Sequence, residues 1–431
     1  VTTALPATPV TAADLPALQR RTSAVLILSQ ILGGLGVPVG IALAPVLATE
    51  VSGSEALSGL APTASVAGTA LLSLPLAALM ASRGRRPGLV LAYLVGAAGA
   101  LLVVTATMVG SFPLLLLGMA GFGAGSSANL QARFAAADLA APDRRGRAIS
   151  TVIWATTIGS VLGPNIAAPA GRVFRDTSVP ETAGPFAWAA AIFLLTGLLV
   201  AVLLRPDPLL TARALAPQET GPEHRSLRAG IAAVRASPMA RLALVTVAVS
   251  HTTMVSIMVM TPVHLGHHGA GLQLVGLVIS GHIAGMYAFS PVMGRLTDRV
   301  GRPAVIGLAA GLLCCAALLA GTSGGGHGRT AAGLFVLGLG WSAGLVAGSA
   351  LLTDSVPQAA RAAVQGLSDL TMNTAAGVGG AVAGVVVSRF GYGWLNAAAA
   401  CLLLPMASLA LRRAADRPAA VAGKGLPGRR D

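Results

Sequence analysis

Residues 294–302 run Gly294-Arg295-Leu296-Thr297-Asp298-Arg299-Val300-Gly301-Arg302, three charged side chains bracketed by glycines and a fourth just beyond. Apolar runs stand on either side, at 272–294 and 304–321. A helix crossing a hydrocarbon core about 30 Å thick needs roughly 20 apolar residues. The charged segment therefore reads as a tight polar turn between two membrane crossings. Glycine permits the turn, and Asp298 is placed to pair with an arginine or to accept from a helix N-terminus.

Working outward, ten more apolar runs appear. The expected spans are 24–48, 57–82, 88–108, 113–137, 149–171 and 185–204, then 240–263, 272–294, 304–321, 331–353, 364–388 and 393–411. Composition agrees: only 10% of the 431 residues are charged and 54% are hydrophobic. Soluble chains carry about 25% charged residues, so a surface this poor in charge must face lipid. The fold class expected is an all-α membrane protein of twelve helices in two six-helix bundles. The boundaries are a cytoplasmic tail at 1–23, a bundle at 24–204, a polar central loop at 205–238, a bundle at 239–411 and a basic tail at 412–431. The first 22 residues lack the pattern of a signal peptide.

Charge sets the orientation. With the N-terminus inside, 25 of the 29 Lys and Arg lie on the cytoplasmic side, leaving Arg172, Arg175, Arg329 and Arg389 outside. This bias places both termini in the cytoplasm. The net charge of +14 is scattered in small groups between apolar runs, so no nucleic-acid partner is expected. Lys424 is the one lysine, a usage that fits a bacterial chain and hence a bacterial cytoplasmic membrane. Cys314, Cys315 and Cys401 fall inside apolar runs and read as small buried hydrophobes, without disulfide or metal spacing.

The halves repeat. Asp138, Pro142 and Arg145 follow span four, and Asp354, Pro357 and Arg361 follow span ten. Gly84, Arg85 and Arg86 follow span two as Gly301, Arg302 and Pro303 follow span eight, at an offset of 217; Asp138 and Arg145 recur at 216 and Pro142 at 215. Duplicated halves with a site at their interface are a transporter architecture.

On these residues the chain resembles the major facilitator superfamily. Gly294, Asp298, Arg299, Gly301 and Arg302 match the family's loop signature after helix eight, which the resemblance implies tethers helices at the cytoplasmic gate. The first-half copy keeps Gly84, Arg85 and Arg86 but has Ala77 and Ala81 for the first Gly and the Asp. Its latch must be weaker or borrow a carboxylate elsewhere. Span four carries Leu117 where the family often has an arginine ahead of a glycine run, here Gly121, Gly123 and Gly125. In span five, Gly159, Gly163 and Pro164, with Ala167 and Ala168, resemble the antiporter signature of drug-exporting members. The resemblance implies a seal against ion leak; a kinked, closely packed helix is the plainer reading.

Ionisable groups inside spans are functional candidates because burying charge in hydrocarbon is costly. Asp369, five residues into span eleven, is the one carboxylate well inside a span. It reads as a proton-coupling site, as a helix-start carboxylate, or as the gate partner of Arg85 or Arg86. Arg133 in span four, beside Asn129 and Gln131, could hold an anionic substrate, pair with a carboxylate or snorkel to the surface. His251 and His282 fall near mid-membrane and could carry a proton or simply be packed and hydrogen-bonded. His264, His267 and His268 could bind a metal transiently or form a short polar loop. Span one holds Ser29 and Gln30 but no acid, unlike many proton-coupled exporters of the family.

The expected function is export of small hydrophobic organic compounds, drugs or secondary metabolites, in exchange for protons. Alternating access about a cavity lined by helices one, four, seven and ten is what the resemblance implies. The apolar walls, with Met254, Met258 and Met260 among them, suit such cargo. Symport of a small anionic metabolite through Arg133 and a non-transporting sensor or scaffold stay open. No enzyme is expected, since no nucleophile–base pair, phosphate loop or redox motif is present. No cofactor is called for, and a monomer is expected.

Overall fold

The computed structural model describes residues 14–54, 57, 59–173, 179–180, 182–215, 227–406 and 408–409. Among them no strand occurs. The first half contains α1 (Leu15–Ser52), α2 (Leu60–Arg83), α3 (Arg85–Val109), α4 (Phe112–Asp138), α5 (Arg145–Val173) and α6 (Gly184–Leu203). Two short helices follow, α7 (Pro208–Leu215) and α8 (Leu227–Ala236). The second half contains α9 (Pro238–His267), α10 (Leu272–Tyr287), α11 (Ser290–Val300), α12 (Arg302–Gly321), α13 (His327–Asp354), α14 (Arg361–Phe390) and α15 (Tyr392–Cys401).

Eight segments are long and apolar enough to cross a membrane; α10 and α11 form one of them, Leu274–Val300. The remaining expected crossings correspond to α1, α4 and α5, of 38, 27 and 29 residues, and to the shorter apolar stretch Tyr392–Met406. Glycine, serine and asparagine lower the hydropathy of α4, which is buried along most of its C-terminal half. Its repeat partner α13 is likewise enclosed. Both lie where small residues let neighbouring backbones approach.

Three expectations need correction. Residues 15–23 continue α1 as helix, because Pro16 sits at its first turn where a missing N–H costs nothing. The central loop is partly helical: Pro208 starts α7, and Leu227–Ala236 forms the amphipathic α8. Third, Cys314, Cys315 and Cys401 are exposed free thiols. The core face of α12 is taken by Val305, Ile306, Ala309, Leu313, Ala316, Ala317 and Ala320, which turns both of its cysteines outward. Residues 1–13 and 410–431 lie outside the described residues, as does Arg175.

The buried apolar side chains form two clusters. One is built around Leu26, Tyr93, Phe122 and Phe193, the other around Val247, Leu313, Trp341 and Val346. The clusters trespass on each other at one end only. Phe134, Ala137, Ile149 and Ile153 pack with the second, and Ala362 packs with the first. That same end carries the conspicuous charges.

Candidate functional site

Residues 294–300, expected as part of a tight turn, instead form the last turns of α11, and the chain reverses only at Gly301; the motif of the second half works through Asp298 on that helix. Its Oδ1 accepts from the Gly146 N–H at 2.9 Å and its Oδ2 from the Arg147 N–H at 2.8 Å. These are first-turn donors of α5, which have no partner inside their own helix, and the carboxylate also meets the positive end of the helix dipole. A carboxylate on α11 thus caps a helix of the opposite half. Close approach makes this possible: a methyl group on Gly294 would lie 2.6 Å from the Gly146 carbonyl oxygen. Ser290 adds a hydroxyl bond of 3.0 Å to the Ser150 carbonyl. Gly301, at φ 95°, reverses the chain into α12.

Arg302 donates from Nε to Asp354 Oδ2 at 3.0 Å and from its other end to the Pro142 carbonyl. Asp354 also receives Arg145 from the first half. The nearest contact of Arg302 with Asp298 is 3.7 Å. Arg299 is exposed and makes no side-chain hydrogen bond among the described residues.

The first half repeats this arrangement with different atoms. Arg85 grips Asp138 in a fork, Nε to Oδ2 at 2.7 Å and Nη2 to Oδ1 at 3.1 Å, with both side chains fully buried. It reaches Gln131 Oε1 at 3.3 Å and Gln365 Oε1 across the interface. No carboxylate stands at Ala81, and the one borrowed locally is Asp207. Its Oδ2 accepts from the Arg86 N–H at 2.7 Å, and its Oδ1 accepts from Leu209 and Leu210 at 3.0 and 3.2 Å. Asp207 therefore caps α3 and α7 together, while Gly84 turns the chain at φ 96°.

Asp369 pairs with neither Arg85 nor Arg86. It lies eight residues inside α14, roughly 12 Å from the helix start at 1.5 Å per residue, too deep for the loop arginines. Its Oδ1 accepts from Arg133 Nη2 at 2.6 Å and its Oδ2 from Gln131 Nε2 at 2.8 Å. Both charged side chains are 1% exposed. Arg133 also donates to Ser349 Oγ at 3.2 Å and to the Leu130 carbonyl, and it lies 4.3 Å from the Phe134 ring centroid. Arg133 consequently does not snorkel. Among the described residues, the hydrogen bonds between the halves all belong to this end.

The other candidates lie elsewhere. Asn129 accepts from the Tyr93 hydroxyl at 2.9 Å, and Gln30 donates to Thr156 at 3.0 Å. His251 Nδ1 accepts the indole N–H of Trp341 at 2.8 Å, which makes the ring neutral with its proton on Nε2. Tyr287 meets Trp341 edge-on at 5.6 Å. His282 is wholly buried, donates from Nδ1 to the Leu334 carbonyl at 2.8 Å, and has no partner at Nε2 among the described residues.

His264 stacks on Tyr392 at 4.2 Å and bonds Ser323 at 3.2 Å; His268 donates to the His264 carbonyl, and His327 donates to that of His268. His267 stands apart from these bonds. Among the described residues no cluster of three or more His, Cys, Asp or Glu is arranged to hold a metal. In span five, a methyl on Gly159 would lie 2.5 Å from the Gly34 carbonyl carbon, so α1 and α5 touch there backbone to backbone. The surroundings of Gly163 and Pro164 lie outside the described residues.

The profile of the Major Facilitator Superfamily matches residues 25–273 and 242–429. The chain belongs to the Major Facilitator Superfamily. It is 35% identical over 405 residues, 93% of each chain, to an uncharacterized MFS-type transporter, YddS, of Bacillus subtilis. It is 28% identical over 395 residues to the riboflavin transporter RfnT of Brucella anthropi, covering 91% of this chain and 94% of the relative. The human organic anion transporter MFSD10 shares the fold with a TM-score of 0.69 at 18% identity, covering 91% of this chain and 99% of that one. The protein is thus a multi-pass secondary transporter of this superfamily and not an enzyme.

Sequence reasoning missed Gln365, Ser349, Asp207 and the Trp341–His251 bond. Asp138 and Asp354 stood out as repeat markers but had no assigned partner. Their nearly equal separations from Arg85 and Arg302, 53 and 52 residues, were the signal that could have paired them.

Proposed function

We propose that this superfamily member exports small hydrophobic organic compounds in exchange for protons, as drug:proton antiporters do, from a bacterial cytoplasmic membrane. Two bundles, 24–204 and 239–411, rock as a monomer with both termini cytoplasmic. The observation that carries the reading is the Arg133–Asp369 pair: a fully buried carboxylate whose cationic partner belongs to the opposite half. Protonating Asp369 removes the charge that holds Arg133, and the two halves lose their deepest polar tie. Breaking a buried pair of this kind costs about 3–5 kcal/mol, enough to change which side of the membrane the cavity faces. Asp298, Arg302, Gly294, Gly301, Gly84, Arg85 and Arg86 serve the gate at the surface. Gly159 supports the packing of α1 on α5. His251 and His282 are packed and hydrogen-bonded, which favours a supporting role over proton transfer.

The test is efflux of a panel of hydrophobic dyes and antibiotics from cells, with and without a proton uncoupler. Uncoupler-sensitive efflux is expected. The variant Asp369→Asn, inserted at normal levels, is expected to lose the pH dependence of the rate; unchanged pH dependence would remove Asp369 from the coupling step.

A second reading is uptake of a polar, planar metabolite. It is favoured by the 28% identity to a protein named as a riboflavin transporter and by the grouping of Trp341, Tyr287 and His251 in the second half. Riboflavin accumulation by cells expressing the chain, without dye efflux, would select this reading.

A further inference from the structure

A cavity of about 840 Å³ opens at the charged end, between the start of α1, residues 138–148, the end of α7 and the Gln358–Arg361 turn. Its walls are of two kinds. Arg20, Arg144, Arg145, Arg147 and Arg361 contribute positive charge, while Leu15, Ile27 and Leu215 contribute apolar surface. The one carboxylate among the described residues of the lining, Asp138, is already held at both oxygens by Arg85. Arg361 is the repeat partner of Arg145, which bonds Asp354; the corresponding acid for Arg361 would be Asp138, and it is taken.

Arg361 is consequently left with a buried Nε that has no hydrogen-bond partner among the described residues. Three further buried polar atoms of the same lining are also unpartnered: Nε2 of Gln358, Nε of Arg145 and Oε1 of Gln19. Buried donors without partners are uncommon in folded proteins, and each asks for a group that supplies the missing bond. Three of these four atoms are N–H donors among arginines, so the missing group is an anion with several acceptor oxygens. Phosphate fits, because guanidinium forks match its geometry.

We propose that this cavity binds the headgroup of an anionic glycerophospholipid. Its phosphate would meet Arg361 and Gln358, and its acyl chains would leave along Leu15, Ile27 and Leu215. A lipid is favoured over a free phosphate because the cavity joins cations to apolar side chains. It also sits where α1, α5 and α14 emerge from their apolar spans, the depth at which basic clusters meet headgroups.

Native mass spectrometry of the purified full chain in detergent tests this, with phosphatidylglycerol, phosphatidylethanolamine or inorganic phosphate added. Phosphatidylglycerol should be retained over phosphatidylethanolamine. Its retention should fall roughly fivefold in Arg361→Gln and remain unchanged in Arg329→Gln, which removes the same charge at the start of α13. Gln358→Leu, which alters no charge, should also weaken retention and serves if Arg361→Gln does not fold. Equal retention of the two lipids, or equal loss in Arg329→Gln, overturns the site. Displacement of phosphatidylglycerol by inorganic phosphate at matched concentration overturns the lipid assignment in favour of a soluble anion.

Discussion

The two halves solve the same turn differently. Arg85 and Arg302 are repeat partners, as are Asp138 and Asp354, and in both halves the arginine Nε meets the aspartate Oδ2. In the first half the pair is 0% exposed; in the second, Arg302 is 15% and Asp354 24% exposed. Beneath the pairs, small residues are exchanged across the interface. Gly294 packs on Ser150, whereas at the equivalent place Ala77 packs on Gly366. The capping carboxylate is also one-sided: Asp298 reaches across to α5, while Ala81 has nothing to offer α14. One interface is thus held by an exposed, carboxylate-capped latch, the other by a buried fork reinforced with glutamines. A duplicated sequence keeps the backbone turn and redistributes the charges that close it.

Breaking the forks gives the largest expected effect. Asp138→Asn leaves Arg85 buried without its counter-charge and should cost about 3–5 kcal/mol, seen as a large fall in melting temperature in detergent. Asp354→Asn, in contact with solvent, should cost about 1 kcal/mol or less. Equal losses would mean that burial does not distinguish the two latches.

Asp298→Ala comes next. Two first-turn N–H groups of α5 lose their acceptor, at about 1–2 kcal/mol, and the balance between closed and open forms should move by roughly tenfold. Transport should be crippled while insertion, followed by membrane-fraction blotting, is normal. Normal transport would sink the gate assignment. The smallest effect is expected from Ala81→Asp, which restores the missing carboxylate. By the repeat it faces the start of α14, where a new cap is worth about 1 kcal/mol. The variant should slow transport severalfold by favouring the closed form. It should not rescue Asp369→Asn, since Asp369 bonds Arg133 rather than Arg85; rescue would show that the two acids share a task.

Much of this was legible in residues alone. Twelve apolar runs, the duplicated Asp and Arg after spans four and ten, and the Gly294–Arg302 motif needed only spacing and hydropathy. The capping role open to Asp298 followed from the scarcity of acceptors near a helix N-terminus. The partner of Asp369 was not legible, because its depth depends on where α14 starts, and Arg361 begins it three residues before the apolar run. The outward turn of Cys314 and Cys315 was likewise hidden, since hydropathy cannot say which face of an all-apolar helix meets its neighbours.

The sequence by itself determined that this chain lies in a membrane, that it is a duplication and that its turns carry charge, because lipid tolerates few polar groups and repeats survive in numbering. Only the tertiary structure decided which charges meet. Arg133 and Asp369 lie 236 residues apart, and Arg85 and Gln365 lie 280 apart. No local rule links such positions; they meet because small residues on α2, α5, α11 and α14 let the two halves close, and a charge so enclosed must find its counterpart across the seam.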